Sequence, residues 1–135
     1  LSLAKINGTL FQDCNFQGCK MLGLKFENCN KFGLTVGFEN CTLDNSSFYQ
    51  VKMRNTKFID CHLHHVDFSE ADLDSSSFNN SDLKDALFEG SNLEKTDFRG
   101  ADHFIIDPEK NRLKQSNFLR SDLSGLLIKY QLKIE

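Results

Sequence analysis

Large hydrophobic residues recur at every fifth position through the middle of the chain. The series has thirteen consecutive members: Phe38, Leu43, Phe48, Met53, Phe58, Leu63, Phe68, Leu73, Phe78, Leu83, Phe88, Leu93 and Phe98. Two positions before each member lies a small or compact residue, such as Cys41, Ser46 or Val51. A helix repeats every 3.6 residues and a strand every two, so neither produces a period of five. The pattern predicts a coil that turns a corner every five residues, with one large and one small side chain facing inward on each side.

Four such sides would close a square coil, and the columns formed by every fourth repeat support that geometry. Phenylalanine fills positions 38, 58, 78 and 98 and positions 48, 68 and 88, whereas leucine fills 43, 63 and 83. Stacked identical side chains about 4.8 Å apart are typical of a parallel β-solenoid. The predicted core therefore contains Phe38, Phe48, Phe58, Phe68, Phe78, Phe88, Phe98, Leu43, Leu63, Leu73, Leu83 and Leu93.

An earlier phase of the same pattern precedes the unbroken series. The step from Phe26 to Phe38 is two repeats plus two extra positions. An insertion is therefore expected near residues 30–35, and allowing for it places Phe16 over Phe38. Phe32 within this insertion either fills the interior from an offset angle, which we favour, or belongs to a binding protrusion.

The C-terminal third departs from the repeat twice. Residues 102–112 are expected to form an irregular coil, because Pro108 stands where a large inward residue belongs, while His103 stands in the inward phase. An open solenoid end exposes unpaired backbone and core, so a cap is required. Residues 124–135 are the candidate cap, with a short helix first and a strand in the last five alternating residues. Its apolar members are Leu126, Leu127, Tyr130, Leu132 and Ile134.

Residues 71–73 (Ala-Asp-Leu) and 81–83 (Ser-Asp-Leu) show a repeat unit that resembles the pentapeptide-repeat family, over nearly the whole chain. The resemblance implies an all-β fold, a right-handed quadrilateral parallel β-helix. We expect residues 1–135 to form a single domain of roughly six coils, about 30 Å long. Several relatives pair through their C-terminal modules, so the resemblance also implies a homodimer through the C-terminal segment.

Composition narrows the functional classes. The chain has 135 residues and a formal net charge of −3, which argues against direct binding to a nucleic-acid backbone. No apolar run is long enough for a membrane span, and no basic segment followed by an apolar stretch opens the chain, so neither a membrane span nor a signal peptide is expected. The five cysteines occupy small inward positions. Cys19, Cys41 and Cys61 share a column within disulfide reach, but reduced apolar filler is the favoured interpretation and favours the cytoplasm.

Acidic charge is concentrated on the middle coils. Residues 38–98 carry twelve Asp and Glu against five Lys and Arg. The carboxylates just before the large residues either serve the corners through hydrogen bonds or form a partner-binding surface. The candidate residues for that surface are Asp67, Asp72, Asp82, Asp97, Asp102 and Asp122.

Three functions follow from these observations. The first is a non-catalytic protein-interaction module; resemblance to quinolone-resistance pentapeptide-repeat proteins implies a DNA mimic that binds a type II topoisomerase, DNA gyrase or topoisomerase IV. The second is a structural scaffold for an unknown partner. The third is a metal-dependent activity at His62, His64 and His65, although a solvated face is the favoured interpretation of these histidines. No catalytic or phosphate-binding motif occurs, so we expect neither enzymatic activity nor a cofactor.

Overall fold

Parallel pairing between residues one coil apart builds the structure. The computed structural model describes residues 4–29 and 34–135, so Phe32 and most of the insertion expected near residues 30–35 lie outside the described residues. Three strands, β1 (Cys14–Gln17), β2 (Val36–Glu39) and β3 (Phe58–Ile59), form one parallel sheet in the order β1-β2-β3. The 3₁₀ helices comprise Phe26–Asn28, Arg120–Leu126 and Ile128–Tyr130.

Single-residue bridges continue the ladder on all four sides of the middle coils. We name the sides after one coil: the first surrounds Phe58, the second Leu63, the third Phe68 and the fourth Leu73. Each side has its own parallel bridge to the equivalent position of the next coil, and these are Lys57 with Ser77, His62 with Asp82, Asp67 with Leu87, and Asp72 with Asn92. Four bridges per coil confirm the predicted right-handed quadrilateral parallel β-helix.

The register before residue 36 is also as predicted. Phe16 pairs with Phe38 across β1 and β2, and Lys25 pairs with Ser47. The sequence separation of these partners exceeds one regular coil by two positions. The insertion therefore shifts the numbering without disturbing the stack of coils.

Two columns of phenylalanine rings fill the interior. Phe58 stacks on Phe78 with ring centroids 5.0 Å apart and planes 2° apart, and Phe68 stacks on Phe88 at 5.2 Å. The two columns meet edge to face, as where Phe68 meets Phe58 at 82°. Aromatic pairs favour both arrangements. Each of the twelve residues of the predicted core is at most 7% exposed.

The polar positions of the repeat serve the corners. Two residues after each of the thirteen large residues of the unbroken series the backbone is left-handed, with φ of 63° at Asn45 and 59° at Asp85. The Asp just before the large residue accepts the N–H two residues on, as Asp67 does from Ser69 at 2.8 Å. Such turns are characteristic of Asp and Asn. Corner geometry therefore explains much of the repeated Asp.

Buried hydroxyl groups tie neighbouring coils together. Ser81 donates to the carbonyl oxygen of Phe58 at 2.7 Å and accepts the N–H of Cys61 at 3.0 Å. Buried polar groups need such partners, because an unpaired one costs its full desolvation. The small inward position thus accepts serine as readily as alanine or cysteine.

The irregular coil fills its interior with displaced side chains. Phe104 and Ile106 are 4% and 1% exposed, whereas Pro108 lies on the surface. His103 is exposed as well, although it stands in the inward phase of the repeat, because Phe104, one residue later, takes the interior position. Phe104 packs against Gly125, where any side chain would collide with the ring and carbonyl oxygen of Phe104.

The C-terminal segment caps the solenoid only in its first half. Leu126 packs against the core and Leu127 is half-buried, as a cap requires. Tyr130, Leu132 and Ile134 are 48%, 58% and 56% exposed. Residues 131–135 do not form the expected strand, because a strand needs a pairing partner and, among the described residues, none runs beside them. No helix in the described part of the chain has the length and apolar character needed to cross a membrane.

Truncating one central ring tests the importance of the stack. We expect Phe68→Ala to lower the free energy of unfolding by about 3–5 kcal/mol, because it removes contacts with four neighbouring rings and leaves a cavity. Leu87→Ala, on the same side but 56% exposed, should cost about 0.5 kcal/mol or less. Urea unfolding followed by circular dichroism measures both, and a loss below about 1 kcal/mol for Phe68→Ala would place that ring outside the core.

A second substitution tests the ion pair at one corner. The Arg99 guanidinium, bonded to the Asp97 carboxylate at 2.8 Å, lowers the pKa of Asp97 to about 2. Asp97→Asn should keep the corner turn, because an asparagine already makes the same bond elsewhere in the repeat: Asn92 accepts the Glu94 N–H through its side chain. The variant should lose about 1 kcal/mol at pH 7, after allowance for solvent screening.

The sign of the pH dependence follows from the lowered pKa of Asp97. Its stabilising contribution is complete above the unfolded value of 3.8 and is lost as the pH falls through about 2. Unfolding of wild type and variant between pH 2 and pH 7 should therefore show curves that converge in acid. If the difference in the free energy of unfolding between wild type and variant did not change with pH, the ion pair would contribute nothing to stability.

Candidate partner-binding surface

The six acidic residues singled out in the sequence do not form one patch. Asp97 lies on the first side, Asp82 and Asp102 lie on the second, and Asp67 and Asp72 lie on the third and fourth. Asp82 and Asp102 are bridge partners on neighbouring coils. Asp122 lies in the 3₁₀ helix Arg120–Leu126 and lines a groove together with Asp102.

Several of these carboxylates are already engaged within the solenoid. Asp72 forms an ion pair with Arg54 at 2.7 Å, and Asp97 pairs with Arg99. Asp82 contacts His64 and His103 at 2.6 and 2.9 Å. Burial alone would raise the pKa of Asp82, but these contacts and the Lys84 N–H lower it to about 2. The carboxylates of Asp72, Asp82 and Asp97 therefore serve first to stabilise the solenoid.

A different set of carboxylates surrounds exposed apolar side chains. Leu87 and Ile105 are each 56% exposed and line one shallow groove of about 670 Å³, on the third side and its adjoining corner. The same groove is lined by Asp85, Glu89 and Asp107. We call these five residues the Leu87 surface. Its carboxylates are partly offset by two lysines: Lys110 lies 3.8 Å from Glu89, and Lys129 lies 3.1 Å from Asp107.

A second groove of about 460 Å³ continues the Leu87 surface toward the end of the solenoid. It shares Asp85 and Ile105 with the first groove and adds Asp102 and Asp122. Exposed aliphatic side chains framed by carboxylates can pack against a partner and attract positive charge. Two of the sequence-predicted acidic residues thus border this surface, while the others lie elsewhere.

Sequence reasoning missed the centre of this surface, although the sequence carried a signal for it. Leu87 stands just before Phe88, where the repeat elsewhere has polar residues such as Ser47 and Asp67. Glu89 follows Phe88, whereas the six predicted acidic residues all stand just before an inward-phase position. Ile105 becomes exposed only because Phe104 turns inward.

The histidines lie on the second side of the solenoid and at its corner. One ligand atom from each of Asp44, His62 and His64 lies within 4.8 Å of the others, a spacing that could hold a metal ion. His65 is separate from this group and lies 3.6 Å from Asp85.

The cysteine thiols behave as small apolar filler in the column that contains Cys19, Cys41 and Cys61. Cys41 and Cys61 are buried, and neither is joined in a disulfide. Burial raises the pKa of the Cys61 thiol to about 12 and raises the pKa of Cys41 as well. A protonated, buried thiol is a poor nucleophile.

Comparison with solved structures extends the description of the fold. A trypsin-treated variant of QnrB1, a plasmid-mediated fluoroquinolone resistance protein, matches with a TM-score of 0.83 and 14% identity over the whole chain. A pentapeptide-repeat protein from the Arabidopsis thaliana thylakoid lumen matches 74% of the chain with a TM-score of 0.53 and 24% identity. The chain spans 65% and 61% of these two proteins' lengths. At such identities the similarity shows the fold alone.

Family models give the more specific result. No curated protein sequence matches the chain significantly. The model described as pentapeptide repeat region matches residues 34–103, and that described as pentapeptide repeats (8 copies) matches residues 1–30. Together with the square coils and their stacked phenylalanines, these matches show that the chain belongs to the pentapeptide-repeat family.

Proposed function

We propose that this protein is a non-catalytic interaction module that binds a basic protein surface through the Leu87 surface. The observation that carries the proposal is the exposure of Leu87 and Ile105 among the carboxylates of Asp85, Glu89 and Asp107. Apolar contacts would supply affinity, and the carboxylates would speed association and select a basic partner. We further propose a cytoplasmic location, where the reduced thiols would persist.

A type II topoisomerase, DNA gyrase or topoisomerase IV, is the partner class that we propose. Such an enzyme binds DNA through a basic surface, and the carboxylates of the Leu87 surface, with Asp102 and Asp122 in the adjoining groove, would present it with a comparable group of negative charges. Similarity of fold to QnrB1, a fluoroquinolone resistance protein, supports the proposal. The chain spans only 65% of the length of QnrB1, so our proposal covers no contact that the rest of QnrB1 makes.

Charge reversal at two positions tests this proposal against a matched control. The test variant is Asp85→Lys/Glu89→Lys, and the control is Asp60→Lys/Glu39→Lys. Asp85 and Asp60 both hold a left-handed corner position, with φ of 59° and 52°. Glu89 and Glu39 both follow an inward phenylalanine, and all four carboxylates are exposed. The two variants therefore change charge equally on different parts of the surface.

We expect the wild-type protein to inhibit gyrase supercoiling, or to protect it from a fluoroquinolone, at micromolar concentration or below. The test variant should lose at least about tenfold in potency, because like charges would then face each other across the interface. The control should stay within about threefold of wild type. Equal loss in both variants would contradict a localised site, and no effect of the wild type on gyrase or topoisomerase IV would favour a scaffold.

We also propose that a second copy of the chain pairs with the exposed end of the C-terminal segment. Leu132 and Ile134 are more than half exposed and alternate along backbone that lacks strand partners within the described residues. Pairing with a copy of itself would bury these side chains and satisfy that backbone.

Sedimentation equilibrium tests the pairing directly. We expect a dimer for the wild type and a monomer for Leu132→Asp/Ile134→Asp, because two buried carboxylates would face an apolar contact. The control Asn7→Asp/Thr9→Asp adds the same acidic charge at two exposed positions near the other end of the solenoid and should leave the dimer intact. A monomeric wild type at 100 µM, a concentration chosen on the order of a weak dimer's dissociation constant, would exclude the proposal.

A further inference from the structure

All four histidines of the chain face one another or neighbouring carboxylates across successive coils. His62 and His64 flank the inward Leu63 on the second side, with ring centroids 4.0 Å apart. Asp44 lies one coil before them and Asp82 one coil after. We call Asp44, His62, His64 and Asp82 the histidine cluster.

Contacts within the cluster hold the side chains in defined orientations. Asp44 accepts the backbone N–H of His64 at 2.9 Å with Oδ1, while its Oδ2 lies 3.4 Å from Nδ1 of His62. Nε2 of His64 lies 2.6 Å from Oδ2 of Asp82. The other oxygen of Asp82 lies 2.9 Å from Nδ1 of His103, so that carboxylate is held from two directions.

We propose that Asp44, His62 and His64 bind a divalent transition-metal ion, best matched by Zn²⁺, and that Asp82 positions the ring of His64. Two imidazoles and one carboxylate suit Zn²⁺, Ni²⁺ and Cu²⁺, whereas Ca²⁺ and Mg²⁺ prefer all-oxygen sites. The contact between His64 and Asp82 is the kind that orients a metal-binding imidazole through its second nitrogen.

The separations agree with a tetrahedral zinc site. Ligand bonds of about 2.0–2.1 Å place neighbouring ligand atoms about 3.3 Å apart. Asp44 Oδ2 and His62 Nδ1 already lie 3.4 Å apart, and the complete set of three lies within 4.8 Å. Small side-chain rotations would bring all three ligands to one ion, and a water molecule would complete the coordination.

The site would exist only in the folded protein. Asp44 and the two histidines belong to successive coils, so a bound ion would join those coils across the outer surface. An ion that binds only the folded state stabilises it by an amount that grows with the logarithm of the ion concentration once that concentration exceeds the dissociation constant. Zinc binding at this site would involve neither the Leu87 surface nor a topoisomerase.

Titration calorimetry with ZnCl₂ tests the proposal on the chain without a polyhistidine tag, in a non-thiol reductant. We expect saturable binding with one ion per chain and a rise in the thermal midpoint that grows with zinc concentration. His62→Gln/His64→Gln should weaken binding at least about 100-fold, and Asp82→Asn about 10- to 100-fold, as loss of an orienting carboxylate does. CaCl₂ should give no saturable heat.

His65→Gln is the matched control, because His65 lies on the same coil and is exposed but pairs with Asp85 outside the cluster. It should bind zinc as tightly as the wild type. Circular dichroism checks that each variant keeps its coils, and the absorbance of bound Co²⁺ distinguishes nitrogen and oxygen ligands from thiolates. No saturable binding, thiolate absorbance, or binding retained in His62→Gln/His64→Gln would overturn the proposal.

Discussion

Stacking of one coil on the next is the constraint on which the remaining structure depends. Phe38, Phe58, Phe78 and Phe98 form a single column with ring centroids 5.0–5.2 Å apart. A slip of one residue would remove every ring from the interior together, because all four sides share the same period. The register is therefore set cooperatively by the whole column. Each outward side chain consequently lies beside its equivalents on the preceding and following coils.

This register converts distant positions into neighbours on the outer surface. Asp44 and His64 belong to successive coils and are in contact, and Arg54 reaches Asp72 on the next coil. The same Asp residues that give the chain its acidic middle also complete corner turns and ion pairs. Net charge alone is therefore a poor guide to which carboxylates a partner would meet. Exposure and local pairing separate Asp85 and Glu89 from the more heavily engaged Asp72, Asp82 and Asp97.

The irregular coil, residues 102–112, contributes both to the Leu87 surface and to the surroundings of the histidine cluster. When Phe104 turns into the interior, His103 turns outward beside Asp82, and Ile105 turns outward into the groove that contains Leu87. Gly125 makes this possible, since only a residue without a side chain leaves room for Phe104. In a solenoid of nearly identical coils, an irregular coil places side chains on the outer surface that the regular repeat would not place there.

The sequence by itself determined the coil, its four sides and the residues that fill it, because a period of five is incompatible with ordinary helices and strands. It also predicts the insertion near residues 30–35, since the step from Phe26 to Phe38 exceeds two repeats by two positions. Only the tertiary structure decided which acidic residues adjoin one another, that His103 faces outward, and that residues 131–135 form no strand with the other described residues. Those outcomes depend on rotamers, ion pairs and packing at the irregular coil and the solenoid end, where the repeat no longer dictates which side chain faces inward.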